Sequence, residues 1–179
     1  DDIQALADAG AVAFTNDGKG VQNAKTMRDA MRAAASVDRP LVAHVEDESL
    51  IDGGVMNLGQ RSAELELPGM DPLGESSQLA RDLVIAKATG VHYHVAHLST
   101  KESVNLVRIA KQNGVNVTAE VSPHHLLLDE TDIQGDNALY KMNPPLRAPQ
   151  DRMAVIGGLL DGTIDMVATD HAPHAVEEK

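Results

Sequence analysis

Five short aliphatic runs, separated by amphipathic stretches, set the rhythm of this 179-residue chain. Residues 11–15 (AVAFT) read as a strand, ended by the turn-forming Asn16-Asp17-Gly18. Residues 21–37 follow with Met27, Ala30, Met31 and Ala34 at helical spacing. Pro40 ends that helix and leads into a second strand over 41–45 (LVAHV). Residues 48–76 are rich in Gly, Pro and polar groups and read as a long loop, a length usually tied to function or disorder. The spacing of Leu79, Leu83 and Ala86 predicts a helix over 78–88, closed by Gly90. A third strand covers 91–98 (VHYHVAHL), and Ser99-Thr100-Lys101-Glu102 fits a capping box for a helix running to Gln112. Gly114 precedes a fourth strand at 115–121 (VNVTAEV). An irregular stretch through Pro144-Pro145 leads to a helix over 151–160 and a fifth strand over 164–169 (IDMVAT).

Strand and helix alternating in this way predict parallel strands, in either a doubly wound sheet or a (β/α) barrel. The polar residues separate the two. Asp17, His44, His97 and Asp170 stand at the C-terminal ends of four of the five runs, and the remaining run ends at Ser122-Pro123-His124-His125. In a (β/α) barrel every such end opens into one common mouth, so residues far apart in sequence converge. Doubly wound nucleotide-binding sheets usually carry a Gly-rich turn, and neither GxGxxG nor GxxxxGKS/T occurs here. The barrel is the expected fold.

Composition narrows the partners. The net charge of −12, from 15 basic and 27 acidic residues, argues against nucleic acid or an acidic membrane surface as a partner. A small anionic substrate stays open, because a few local cations and amides can hold it. There is no Cys, which excludes disulfides and thiolate zinc sites. Aromatic residues are limited to Phe14, Tyr93 and Tyr140, so the core must be aliphatic. No apolar run approaches a membrane span and no signal peptide opens the chain, which makes a cytoplasmic protein the default. The first residue is Asp, so the natural start is expected to lie upstream.

Each candidate ligand is weak alone, since a His near a strand end is more often a hydrogen-bonded structural residue. Asp17 before Gly18 is ordinary turn chemistry, and Asp170 could cap a helix. Repetition at successive strand ends carries the metal reading. Imidazole and carboxylate ligands together suit zinc with an open coordination position. His92 and His94 alternate away from His97 in a regular strand and read as structural or helix-facing, leaving His97 as the ligand. His124 and His125 read first as local loop structure, with shaping of the pocket as the lesser alternative.

The segments FTNDG (14–18), AHVED (43–47), HYHVAHLSTK (92–101), TAEVSPHHL (118–126), KMNPPLR (141–147) and ATDHAPH (168–174) together resemble dihydroorotases of the class I type, across essentially the whole chain. KMNPPLR and ATDHAPH are the most specific. The resemblance implies a (β/α)8 barrel with a metal centre of two zinc ions at its mouth. It implies that Asp17 bridges the two ions, that His44 and His97 bind the second, and that Asp170 binds the first and exchanges protons as the catalytic residue. Asn143 and His174 match substrate-contacting positions, and Arg147 is given a structural role first. The family's first-strand His-x-His pair and the Arg after it have no counterpart upstream of Asp17. A complete barrel takes roughly 250 residues. Residues 1–179 are therefore expected to be a partial barrel, about strands four to eight, truncated at both ends and inactive alone.

The implied activity is the reversible zinc-dependent cyclisation of N-carbamoyl-L-aspartate to dihydroorotate in pyrimidine biosynthesis. A homo-oligomer or association with aspartate carbamoyltransferase is compatible with it. Hydantoinases, dihydropyrimidinases and allantoinases are the nearest alternatives. They generally bridge their metals through a carboxylated Lys where this chain offers Asp17, and Asn143 ahead of Pro144-Pro145 also favours dihydroorotase. A catalytically inactive dihydroorotase-like structural partner is the alternative from another class.

Overall fold

The computed structural model describes residues 2–178. The chain runs through α1 (Ile3–Asp8), β1 (Phe14–Thr15), α2 (Ala24–Ser36), β2 (Leu41–Ala43), β3 (Met56–Asn57), α3 (Gln60–Leu65), β4 (Gly69–Met70) and α4 (Leu73–Thr89). It continues with β5 (Tyr93–Val95), α5 (Lys101–Gln112), β6 (Val117–Val121), α6 (Pro123–Leu127), α7 (Pro149–Leu160) and β7 (Met166–Val167), and the described residues also include four short 3-10 turns.

Local chemistry fixes the helix ends. The Asn23 side chain caps α2 by accepting from the backbone N–H groups of Lys25 and Thr26. Gly90 closes α4 in the left-handed conformation, at φ 71°, that lets the chain turn back into β5. At α5 the cap is Thr100, whose hydroxyl accepts from Ser103 N–H, while Ser99 is engaged elsewhere.

The main sheet has five strands in the order β1-β2-β5-β6-β7, all parallel. Its register pairs Phe14 with Leu41, Leu41 with Tyr93, Tyr93 with Val117 and Glu120 with Met166. Spatial order follows chain order, so no switch point exists. Helices α2, α4, α5 and α7 pack in series along one face. That is an open arc of a (β/α) barrel.

Alternation along the strands divides the two faces. Leu41, Ala43, Tyr93, Val95, Val117, Ala119 and Val121 join Met27, Met31, Leu79, Leu83, Val104 and Val107 in one aliphatic core between sheet and helices. Tyr93, fully buried, donates its hydroxyl to Asp82 on α4 at 2.9 Å. Val42, His94, Thr118 and Glu120 take the other face, which is the lumen side. His94 therefore faces the lumen and not the helices, contrary to the helix-facing expectation; burial alone could not separate two buried faces.

The stretch 48–76 is also more ordered than a loop. It contains α3, the start of α4 and a two-stranded parallel ladder pairing Met56 with Gly69 and Asn57 with Met70. Met56 packs with Ile133 and Leu146 in a second small core. The Arg61 guanidinium donates to the Ile133 carbonyl at 3.0 and 2.7 Å. Such short elements depend on contacts from distant segments, which periodicity cannot reveal.

Candidate active site

The site begins where β1 and β2 end. Asn16 continues their ladder with its side chain: Oδ1 accepts from His44 N–H at 3.1 Å, and Nδ2 donates to the His44 carbonyl at 3.1 Å and the Lys19 carbonyl at 2.7 Å. This tie sets Asp17 beside His44. Gly20 follows at a close backbone approach, where an added Cβ would lie 1.8 Å from the Glu46 carbonyl oxygen.

His97 reaches the site by a different route. In a regular strand it would share the helix-side face of Tyr93 and Val95. Its φ of 32° breaks that alternation and turns the ring into the mouth. His97 Nε2 stands 3.0 Å from His44 Nδ1, with the rings edge to face at a centroid distance of 4.8 Å. Asp170 also has a left-handed backbone, at φ 49°. Non-glycine residues in this region tend to gather at functional sites.

One ligand atom each from Asp17, His44 and His97 lie within 4.8 Å of one another. Ligands about 2 Å from a shared zinc stand roughly 3.3 Å apart in a tetrahedron, so small side-chain rotations suffice to bind one. His44 Nε2 is buried without a hydrogen-bond partner and faces Glu46 Oε2 at 3.5 Å. A carboxylate behind a ligand His is the usual device for fixing its tautomer, which here turns the Nδ1 lone pair toward the site, beside His97 Nε2. The donor set fits a divalent metal such as zinc.

A cavity of about 610 Å³ opens over these residues. Asp17, His44, His97, Asn143, Asp170 and His174 all line it, so every candidate drawn from the sequence meets in one place. They do not meet equally: Asp170 is absent from the three-residue ligand cluster, and Asp17, Asn143, Asp170 and His174 are exposed while His44 and His97 are buried. Asn143 donates to Glu46 Oε2 at 2.8 Å, which links the 141–147 segment to β2. Glu46 escaped the sequence reading although AHVED contains it; its place two residues beyond His44 on an alternating strand was the available signal. His124 also lines the cavity, whereas His125 is buried structure behind it.

The electrostatics follow from burial and neighbours. Burial, helped by His44, lowers the His97 pKa and favours the neutral ring that ligates metal. Burial alone would raise the Glu46 carboxyl, but its contacts with His44 and Asn143 outweigh this and hold it below the usual range. His125 is pushed down to about 3, first by burial and then by His124. Its Nε2 must carry the proton, because it meets only the carbonyls of Pro144 at 3.1 Å and Pro145 at 3.2 Å, while Nδ1 faces Ser122 Oγ at 2.6 Å. His125 thus fastens the segment that carries Asn143.

Arg147 fastens the same segment from the other end. It is 5% exposed, donates to Ser99 Oγ at 3.0 Å and Asn57 Oδ1 at 3.1 Å, and lies 3.8 Å from buried Glu75. Glu75 also accepts from the backbone N–H groups and hydroxyls of Ser99 and Thr100. Burial would raise its pKa, but Arg147 and these donors keep it lowered.

The structure is an arc of a (β/α) barrel with a candidate metal-binding His/Asp cluster at its mouth. A family model described as dihydro-orotase-like matches residues 1–103. The dihydroorotase of Ligilactobacillus salivarius is 64% identical over 178 residues, covering 99% of this chain and 42% of that protein. The dihydroorotase of Enterococcus faecalis is 62% identical over 176 residues, 98% of this chain and 41% of its own length. Among solved structures, a D-hydantoinase (dihydropyrimidinase) from Thermus sp. superposes with a TM-score of 0.83 at 27% identity, covering 99% of this chain and 41% of that one. An L-hydantoinase (dihydropyrimidinase) from Arthrobacter aurescens gives 0.83 at 25% identity, over 99% and 42%. This chain belongs to the dihydro-orotase-like family. It spans about two-fifths of the length of the relatives it matches.

Proposed function

We propose that this chain is the later part, about strands four to eight, of the barrel of a cytoplasmic zinc-dependent dihydroorotase. The whole protein interconverts N-carbamoyl-L-aspartate and dihydroorotate in pyrimidine biosynthesis. The observation carrying this reading is the Asp17–His44–His97 cluster at the floor of a cavity that Asn143, Asp170 and His174 also line. Identity above 60% to proteins named dihydroorotase favours that activity over the hydantoinases, which are similar at 25–27%.

Asp17, His44 and His97 would hold the metal, with Asp170 contributing from the facing wall. When bound, zinc supplies polarisation of a carbonyl and a lowered pKa for water. Asp170 acts as the proton carrier. In hydrolysis its carboxylate takes a proton from the attacking water and returns it to the ring nitrogen as the C–N bond breaks. In ring closure it removes the proton from the carbamoyl nitrogen as that nitrogen bonds to the side-chain carboxyl carbon, and returns it to the carboxyl oxygen that leaves as water. Asn143, braced by Glu46, and His174 orient the substrate from the rim. The cavity wall also includes Lys141, a cation suited to an anionic substrate.

The test is a substrate comparison on the whole protein loaded with zinc. Turnover of dihydroorotate should greatly exceed that of hydantoin, dihydrouracil and allantoin. Faster turnover of any of those three would reassign the substrate. No turnover of any of them by protein with full metal occupancy would favour an inactive structural homologue.

A further inference from the structure

One buried carboxylate takes no part in the proposed chemistry. Glu75, in the first turn of α4, is 3% exposed. Its Oε1 accepts from the backbone N–H groups of Ser99 at 3.2 Å and Thr100 at 3.0 Å, and the Thr100 hydroxyl lies 3.1 Å away. Its Oε2 accepts from the Ser99 hydroxyl. Ser99 Oγ in turn accepts from Arg147 Nε at 3.0 Å, and Arg147 Nη2 stands 3.8 Å from Glu75 Oε2. Amides, hydroxyls and a guanidinium around it favour the charged form of the carboxylate.

Two functional segments meet on this one group. The first is the chain leaving His97. Ala96 N–H still donates to the Ala43 carbonyl at 3.0 Å, and His97 then turns left-handed, with φ at 32°. A left-handed non-glycine residue persists only where its surroundings over-determine it. Beyond the turn, Leu98 N–H donates to the Glu120 carbonyl at 2.9 Å, and Glu75 takes the next two N–H groups. The second segment carries Asn143. Arg147 stands four residues after it, with Pro144, Pro145 and Leu146 buried between. Arg147 Nη1 donates to Asn57 Oδ1 at 3.1 Å, and its carbonyl accepts from Glu130 N–H at 2.8 Å.

We propose that Glu75 is a positioning residue that couples the two halves of the site: its carboxylate fixes the Ser99-Thr100 end of the His97 turn and, through Ser99 and Arg147, the segment that presents Asn143. The proposal rests on the reading of His97 as a metal ligand and Asn143 as a substrate contact. The Ser99 hydroxyl is the joint, since it donates to Glu75 and accepts from Arg147. Neutralising Arg147 alone would not require the amides of the chain that follows a ligand.

The test uses the whole protein and two readouts: Co²⁺ binding followed by visible absorption, and KM against kcat for dihydroorotate. Wild type, His97→Ala, Glu75→Gln and Tyr93→Phe are compared. Glu75→Gln keeps the shape but removes the charge and turns an amide N–H toward a donor. It should weaken Co²⁺ binding by about 10–100-fold, the usual cost of losing an outer-shell partner, and alter the spectrum. At saturating metal it should raise KM more than it lowers kcat. Tyr93→Phe removes a buried hydrogen bond to Asp82 on the same helix and touches neither segment, so it should lose stability alone. A Glu75→Gln protein that behaves in the same way, less stable with affinity, spectrum and KM unchanged, overturns the proposal. So does a change confined to one readout, because the two segments would then not be coupled. Should Glu75→Gln fail to fold, Ser99→Ala, which removes the joint, must shift the spectrum and raise KM; either one unchanged overturns the proposal. If wild type binds no Co²⁺, or His97→Ala binds as wild type, the metal reading fails and this proposal falls with it. If wild type binds Co²⁺ but turns over no dihydroorotate, the activity reading fails instead, and the Co²⁺ arm alone decides for the His97 turn.

Discussion

The floor and the rim of the cavity are built differently from the same kind of residue. On the floor, His44 and His97 are 2% and 5% exposed, and each leaves a strand that is paired on both sides. On the rim, His174 has 61% of its side chain exposed, and Asp170 follows β7, the last strand of the sheet, whose Met166 and Val167 are each 48% exposed. The difference lies in neighbours. β2 sits between β1 and β5, and β5 between β2 and β6, so the ends carrying His44 and His97 are held from both sides, whereas among the described residues β1, which leads to Asp17, and β7 each pair on one side. A rigid floor suits metal binding, where geometry must be set in advance.

The largest expected effect breaks the comparison at its centre. In the whole protein, Asp170→Asn should lower turnover by ~10²–10⁴-fold, as for loss of a general acid–base, while the metal held by Asp17, His44 and His97 is largely retained. His97→Ala should do the reverse, depleting metal first, with excess zinc restoring part of the activity. Metal analysis and steady-state rates on both variants check this. Equal metal loss in the two would mean that floor and rim are not separate in function.

A smaller but substantial effect concerns stability. Arg147→Met leaves the Glu75 carboxylate buried without its cation and should cost about 3–5 kcal/mol, measured by urea unfolding. Substrate affinity should weaken as well, because the segment carrying Asn143 loses its anchor. A variant as stable as wild type would show that the hydroxyls and amides around Glu75 suffice alone.

The smallest effect is a pH slope. His125 has its pKa depressed to about 3 in the folded protein from an ordinary 6.5. Above pH 6.5 it is neutral in both states and adds no pH dependence. Between 6.5 and 3 the unfolded chain binds a proton that the folded protein refuses, so stability falls as pH falls through that window. His125→Gln should take up about one proton fewer on unfolding there, seen as a shallower loss of stability with acid. An unchanged slope would mean that the buried ring gains a proton without unfolding.

Much of this arrangement was legible in the chain. The aliphatic runs marked all five strands of the main sheet, and their polar ends marked Asp17, His44, His97 and Asp170, because a barrel mouth collects strand ends regardless of separation. The strand bounds came out shorter, since the hydrogen-bonded ladder covers only Phe14–Thr15 at β1 and Met166–Val167 at β7. What stayed hidden depends on tertiary contact. The elements within 48–76 are two to six residues long and rely on partners such as Glu130, which accepts from Asn57 Nδ2 at 2.7 Å. The reversal of His97 needs a left-handed turn that no periodicity announces. Asn16 and Glu46 are common residue types in a turn and on a strand, and only their hydrogen bonds reveal what they hold.

Zinc-edge anomalous diffraction from the whole protein, crystallised with zinc, tests the central claim most directly. The account predicts a peak about 2.0–2.1 Å from an imidazole nitrogen of both His44 and His97, with an Asp17 oxygen at a similar distance. Zinc bound elsewhere in the molecule, with Asp17, His44 and His97 left free of metal, would contradict it.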